Sequence, residues 1–132
     1  MRERTIASHF ARAALGGARR VGFDYSGLLL QLGISPELLD EPRARIAPEQ
    51  FTRLIQGLWL ALDDEYLGFG NAPSKPGSFA MMCHASIHCR NLEKALQRGL
   101  LFYSLFPQAP RLSLRREDEW VRLSLDDAQL WD

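Results

Sequence analysis

The sequence lacks the features that define several large classes of protein. It has only two cysteines in 132 residues, Cys83 and Cys89, too few for the disulfide framework of a small secreted domain. No segment approaches the roughly 20 consecutive apolar residues that span a bilayer. Sixteen Lys and Arg residues balance sixteen Asp and Glu residues, so the chain has no excess positive charge for holding DNA. These absences predict a cytoplasmic protein that does not contact a membrane and, alone, binds nucleic acid poorly.

The composition that remains is that of an ordinary globular domain. Hydrophobic residues make up 46% of the chain and charged residues 24%, which excludes disorder, collagen and coiled coil. A chain of this length buries roughly two-thirds of the surface that it exposes when unfolded, which is enough for a core without disulfides or a structural metal. We therefore expect one domain, covering residues 1–132.

Apolar residues recur at helical spacing through residues 1–107. The clearest helix opens at Pro48 and reaches Ala61 or Leu62, with apolar residues at the i, i+3, i+4 and i+7 positions. A helix over 5–21 is expected before it, with a buried face formed by Ile6, Phe10, Ala13, Ala14 and Gly17.

Capping side chains and glycines predict the limits of the other helices. Asp24 is the expected N-cap of a short helix that ends at Gly33, and Asn91 that of a helix over 92–106. Two further helices are expected to begin at Ser35-Pro36 and at Gly77 or Ser78.

The hydrophobic period changes from helical spacing to strict alternation after Pro110. Leucines at 112 and 114, and apolar residues at 121, 123 and 125, alternate with polar ones, which predicts a β-hairpin over 111–126 with residues 116–119 as its loop. The fold class is therefore α+β and mostly α, with five or six helices followed by a C-terminal hairpin. An isolated hairpin is only marginally stable, so we expect the chain to be the front part of a larger domain.

A short string of potential metal ligands comprises Cys83, His84, His88 and Cys89. Thiolates and imidazoles are typical zinc ligands, but adjacent residues on a helix point about 100° apart, so neighbouring pairs could not both reach one ion. We therefore favour small core residues for the two cysteines and ordinary polar or capping roles for the histidines. A metal or redox site built from these four residues remains the alternative.

Motifs of catalysis are missing. The sequence has no GxSxG elbow, no phosphate-binding GxxxxGK[ST] loop, no GxGxxG and no HExxH. We assign no catalytic residue and no cofactor, and we predict that the chain is not an enzyme.

Aromatic and methionine side chains on three predicted helices could either close into a solid core or leave a pocket for a small apolar ligand. Two polar residues, His84 and Arg98, flank these faces and would anchor a carboxylate. The candidate effector-binding residues are Trp59, Phe79, Met82, His84, Arg98, Phe102 and Tyr103.

The order of these motifs resembles the N-terminal effector domain of AraC/XylS-type bacterial transcription regulators, and specifically the arabinose-binding-domain-like subgroup that includes ornithine-utilisation regulators. The resemblance covers nearly the whole chain. It rests on the run LLQLGISPELLDEPRARI at 29–46, Pro48 to Phe51, Asp64 to Phe69, Pro76 to Phe79, Asn91 to Leu96, and Leu112 to Leu125. The chain departs from the family in the stretch from Ser86 to Leu92, which lacks the usual proline.

The resemblance implies a ligand-sensing and dimerisation domain that responds to a small-molecule effector. The family's DNA-binding pair of helix-turn-helix motifs does not occur in this chain, so contact with DNA would be made only by a separate C-terminal domain, and a homodimer is the expected assembly. The alternatives are a metal or redox sensor or small metalloprotein that uses Cys83, His84, His88 and Cys89, and a protein-interaction module that binds no small molecule.

Overall fold

A computed structural model describes residues 4–107, 109 and 111–126. These residues form six helices and two antiparallel pairs of strands, which confirms the α+β, mostly α fold class. The helices are α1 (Ser8–Arg20), α2 (Ser26–Leu32), α3 (Pro36–Asp40), α4 (Pro48–Leu62), α5 (Ser78–Ser86) and α6 (Leu92–Ser104). The strands are β1 (Ile6–Ala7) with β2 (Arg45–Ile46), and β3 (Arg111–Glu117) with β4 (Trp120–Asp126).

The hydrophobic core lies in the N-terminal half of the chain, where α1 packs against α3 and α4 and where α2 packs against α4. The largest core side chains are Leu15 of α1, Ile46 of β2, and Leu54 and Leu58 of α4, and all four are almost completely buried. The predicted α4 is confirmed from its first residue to its last, and its two most buried leucines belong to the predicted stripe. Burial of such side chains is the main source of stability in a domain of this size.

The predicted buried face of the first helix is wrong in part. Helix α1 begins at Ser8 because Ile6 instead pairs with Ile46 in the short β1–β2 sheet. The helix packs a neighbouring face on the core, so that Phe10, which is 53% exposed, and Ala13 both lie toward solvent. The buried residues of α1 are Ser8, Ala11, Ala14, Leu15, Gly17 and Ala18.

Most predicted helix ends are confirmed by their hydrogen bonds. Gly33 ends α2 in the left-handed conformation, with φ of 64°, where glycine is favoured. The side chains of Ser35 and Asn91 accept the backbone N–H groups of Leu38 and Lys94, as N-caps do.

Asp24 is not the N-cap of α2, contrary to the prediction. The cap position is Tyr25, and the carboxylate of Asp24 accepts the hydroxyl and the backbone N–H of Ser26 at 2.6 and 2.9 Å. These two bonds lower the pKa of Asp24 because they favour its charged form.

The hairpin is tighter than predicted. Glu117 pairs with Trp120, so the loop has two residues, not four, and Asp118 begins it with φ of 52°. A positive φ at the first loop residue matches the sharp turns that suit the twist of paired strands. Strand β3 packs against α6. In the part of the chain that the structure describes, no helix is long and apolar enough to cross a membrane.

Candidate functional site

The site is built around the α5–α6 pair, which carries six of the seven predicted effector residues. Phe79, Met82 and His84 lie on α5 and Arg98, Phe102 and Tyr103 on α6, and the two helices pack against each other. The helices meet where Met82 contacts Gly99, since a Cβ at Gly99 would lie only 3.2 Å from the Met82 sulfur.

Three aromatic rings form a continuous row at the end of α6 and just beyond it. The Phe102 and Tyr103 ring centroids lie 5.4 Å apart in an edge-to-face arrangement, and the Phe102 and Phe106 centroids lie 5.2 Å apart. All three rings are half-buried. Such contacts hold the rings in defined positions, so the row presents an ordered apolar surface.

Tyr103 lies where α6 meets the loop that follows α4. Burial raises the pKa of Tyr103, and the nearby Tyr66, Glu65 and Cys83 raise it further. Burial also raises the pKa of Tyr66, although a hydrogen bond with Ser74 opposes the effect. Both phenols therefore keep their protons at neutral pH and can donate hydrogen bonds.

Asp64 organises the loop between α4 and α5. It is only 4% exposed, and its carboxylate accepts the backbone N–H groups of Tyr66, Gly68 and Ser74 at 2.9, 2.9 and 2.6 Å. These bonds stabilise a loop in which Leu67 has φ of 54°, a conformation that costs free energy for a residue with a Cβ. Asp64 and Tyr66 belong to a stretch that is notable in the sequence only for its family resemblance, because no local pattern reports hydrogen bonds to residues as distant as Ser74.

Glu65 positions the start of α5. Its two carboxylate oxygens accept the N–H groups of Gly77, at 2.6 Å, and Phe79, at 2.9 Å. The first N–H groups of a helix have no partner within the helix, and a negative charge there is favourable. Glu65 thus joins the first helical turn of the site to the loop that Asp64 holds.

A close backbone contact fixes the loop on the N-terminal core. A Cβ at Gly17 would overlap the carbonyl oxygen of Leu67, and one at Gly68 would overlap the carbonyl of Gly17. Only glycine at both positions allows α1 and the loop to come this close.

The two predicted polar anchors are exposed. Arg98 donates to the carbonyl of Ala85 at 3.1 Å, so its guanidinium tethers the end of α5 to α6. His84 lies near the end of α5 with its side chain exposed. Both groups are accessible to a ligand, although Arg98 already has one partner.

Trp59 stands apart from the other six predicted residues. It lies on α4, whose main packing partners are α1 and α2, and its side chain is 38% exposed. The structure therefore places it outside the α5–α6 pair.

The helix faces form an open surface. None of the residues of α5 or α6 is fully buried, and Phe79 is 56% exposed. The side chains of these two helices therefore do not close into a solid core. A separate groove of about 560 Å³ lies across the molecule's N-terminal strands and is lined by Arg4, Thr5 and residues 45–49, so it includes none of the predicted site.

The four potential metal ligands near the end of α5 do not form a centre. Cys83 and His84 lie within α5 and His88 and Cys89 beyond its end, and both thiols are free. Among the described residues, no group of three or more His, Cys, Asp or Glu side chains could hold a metal ion. The expectation that the cysteines are core residues is also wrong, because Cys83 is exposed and Cys89 only partly buried.

Residues 22–131 match a protein-family model described as the arabinose-binding domain of AraC transcription regulators, N-terminal. The match begins just after α1 and includes all of the predicted site residues. Searches of curated proteins and of solved structures found no match.

Proposed function

The chain belongs to the family of N-terminal arabinose-binding domains of AraC transcription regulators, and from this we propose that its α5–α6 pair binds a small-molecule effector. The membership makes it a ligand-sensing domain of an AraC-type regulator, in a family that is not one of enzymes. The proposal concerns where the effector binds and what binding does.

The exposed apolar surface of α5 and α6 carries the proposal. A surface helix normally buries one apolar face, yet Phe79 and Met81 on α5 remain more than half exposed. Exposed apolar patches mark sites of ligand or protein contact. The Tyr103 phenol and the Arg98 guanidinium lie on the same helix pair and can orient a ligand that carries a carboxylate or another polar end.

Binding would act by shifting a conformational equilibrium. An effector changes the activity of a regulator only if it binds one conformation more tightly than another. Glu65 connects the first turn of α5 to the loop on the N-terminal core. A ligand that moves α5 would therefore also move this loop and change its contacts with the core.

The subgroup, the assembly and the mode of DNA contact that we propose rest on the family resemblance and on the balanced charge of the chain. We include this chain among the ornithine-utilisation-regulator-like members, as a cytoplasmic homodimer whose DNA contact is made by a separate C-terminal domain. The equal numbers of basic and acidic residues support that division of roles, because DNA binding depends on neutralising phosphates with positive charge.

Thermal denaturation and calorimetry with a panel of arabinose, ornithine, other amino acids, amines and fatty acids test the proposal. An effector present at 100 times its Kd should stabilise the chain by about 2.7 kcal/mol. Failure of every compound to stabilise the chain would contradict the sensing role.

Two phenylalanines of similar exposure provide a matched pair for locating the site. Phe79 is 56% exposed and lies on α5, whereas Phe10 is 53% exposed and lies on α1. We expect Phe79→Ala to weaken effector binding about tenfold or more, as expected when about 1.4 kcal/mol of contact is lost, and Phe10→Ala to leave it unchanged. Equal effects would contradict a site on α5 and α6.

A further inference from the structure

The packing of the elements divides the chain into two sets. Helices α1 to α4 pack among themselves, and α5, α6, β3 and β4, which form the α5–α6–hairpin unit, do the same. Among the elements that the structure describes, none of the main packing pairs joins one set to the other. The connection between the sets is therefore made chiefly by the segment between α4 and α5, residues 63–77.

The first part of this segment is held by buried hydrogen bonds. Asp64 is 4% exposed, and its bonds to the N–H groups of Gly68 and Ser74 are buried. The N–H of Glu65 also donates to the carbonyl of Ser74, at 2.8 Å. Buried hydrogen bonds are costly to break because water does not replace them. The segment as far as Ser74 therefore stays on the N-terminal half, where Gly68 meets Gly17.

The contact of Glu65 with α5 is of the opposite kind. Both of its hydrogen bonds, from the N–H groups of Gly77 and Phe79, are exposed to solvent. Water can replace exposed bonds, so the free-energy cost of breaking them is small. The neighbouring ion pair of Lys75 is exposed as well and contributes little. The first turn of α5 can thus separate from Glu65 while Asp64 keeps its own bonds.

The backbone just before α5 contains a residue that can rotate. Gly77 has φ of 102°, and a Cβ at this position would meet nothing within 4 Å. Glycine adopts positive and negative φ about equally well. A rotation at Gly77, which directly precedes the first residue of α5, would redirect the helix without a clash at the glycine itself.

A second contact between the two sets does not fix a direction. Tyr103 of α6 lies near Tyr66, and both side chains are half-buried. Burial of apolar surface is non-directional, whereas two hydrogen bonds to one carboxylate impose an orientation. The orientation of the α5–α6–hairpin unit therefore depends mainly on Glu65.

We propose that the α5–α6–hairpin unit swings about Gly77 and that Glu65 is the latch that holds it in the orientation seen in the structure. This inference rests on the proposed function and names the regulation of that site, because Phe79 both donates to Glu65 and is a candidate effector contact. An effector that contacts Phe79 would bind the latched and the displaced forms with different affinities. Such a difference is what a ligand needs in order to shift the equilibrium between two conformations.

Distances between two spin labels, measured by double electron–electron resonance, test the latch. One label is placed on Cys83, which is exposed on α5, and the other on α4 through Arg53→Cys, in a chain that carries Cys89→Ser. The control pair lies wholly within the N-terminal half and uses Phe10→Cys with Arg53→Cys, in a chain that also carries Cys83→Ser. Labelled chains are diluted with an excess of unlabelled chain, so that distances between copies do not contribute. We expect one predominant distance for each pair.

Two substitutions should release the latch. Glu65→Gln removes the charge that strengthens both bonds, and Gly77→Ala places a Cβ at a φ that such residues disfavour. Each should raise the ratio of displaced to latched chains about fivefold, and the double variant should raise it further. A second α4–α5 distance should then be detected, while the α1–α4 distance stays unchanged.

Matched controls separate the latch from general effects of the same substitutions. Gly33→Ala also changes a glycine with positive φ and open surroundings, but it lies at the end of α2. Glu119→Gln removes an exposed carboxylate in the hairpin turn. Both controls should leave the α4–α5 distance unchanged, and circular dichroism checks that every variant folds.

The outcomes distinguish failure of the latch from failure of the sensing role. A single, unchanged α4–α5 distance in the folded double variant overturns the latch, and so does a broadening that affects the α1–α4 pair equally. The distances are measured without effector. A chain that binds no compound of the panel therefore contradicts the proposed function while leaving the swing of the unit intact, whereas effector binding with a fixed α4–α5 distance overturns the latch alone.

Discussion

The N-terminal half of the molecule and its α5–α6–hairpin unit are stabilised in different ways. Among the residues that the structure describes, the ten buried apolar ones lie between Ala11 and Leu58. The unit from α5 to β4 has none among its described residues and relies on caps, half-buried aromatic contacts and a two-stranded ladder. The difference teaches that one half can serve as a stable base while the other leaves apolar side chains exposed.

The largest expected effect is the loss of a core side chain. Leu54→Ala should lower the free energy of unfolding by about 2–5 kcal/mol, because a fully buried leucine leaves a cavity. Leu101→Ala on α6 is the control and should cost less than about 1 kcal/mol, since Leu101 is largely exposed. Chemical denaturation measures the free energy of unfolding of both variants. Equal losses would contradict the conclusion that the two halves are stabilised in different ways.

The next effect concerns the loop that joins the halves. Asp64→Asn should cost about 2 kcal/mol, because an amide cannot accept all three N–H groups that the carboxylate holds. Asp63→Asn is the adjacent control, and the exposed ion pair of Asp63 with Lys75 should contribute at most about 1 kcal/mol. A loop that tolerates both changes equally would show that Asp64 does not hold it.

Adjacent glycines of α1 should respond with opposite signs. Gly17→Ala should destabilise the chain by about 1–3 kcal/mol because the new Cβ overlaps the loop backbone. Gly16→Ala meets nothing closer than 3.6 Å and should stabilise the helix by up to about 1 kcal/mol. Thermal denaturation of the two variants distinguishes the signs, and two losses of equal size would argue against the close contact.

The smallest loss of stability should be confined to the α5–α6–hairpin unit. Glu65→Gln weakens the acceptor that caps α5, at a cost of about 1 kcal/mol. Hydrogen exchange should rise at the first turns of α5 and stay unchanged in α1 and α4. Glu119→Gln in the hairpin turn is the control. A rise spread over the whole molecule would mean that the two halves unfold as one.

Local signals explain which parts could be predicted. The starts of α3, α4 and α6 follow from caps and prolines that act on their own backbone, and the hairpin follows from strict alternation. The start of α1 was missed because Ile6 pairs with Ile46, forty residues away, and no local pattern reports that pairing. Whether the seven predicted effector residues bind a ligand stays a prediction, and the structure brings six of them onto one helix pair.

The sequence alone determined the helices, the hairpin and the family resemblance, since periodicity, capping and motif order act over short stretches of chain. Only the tertiary structure decided that Asp64 and Glu65 hold a loop, that Gly17 meets Gly68, and that Trp59 lies away from the other candidates. These contacts depend on bringing distant segments together, and the buried hydrogen bonds and close packing that result are satisfied only in the folded chain.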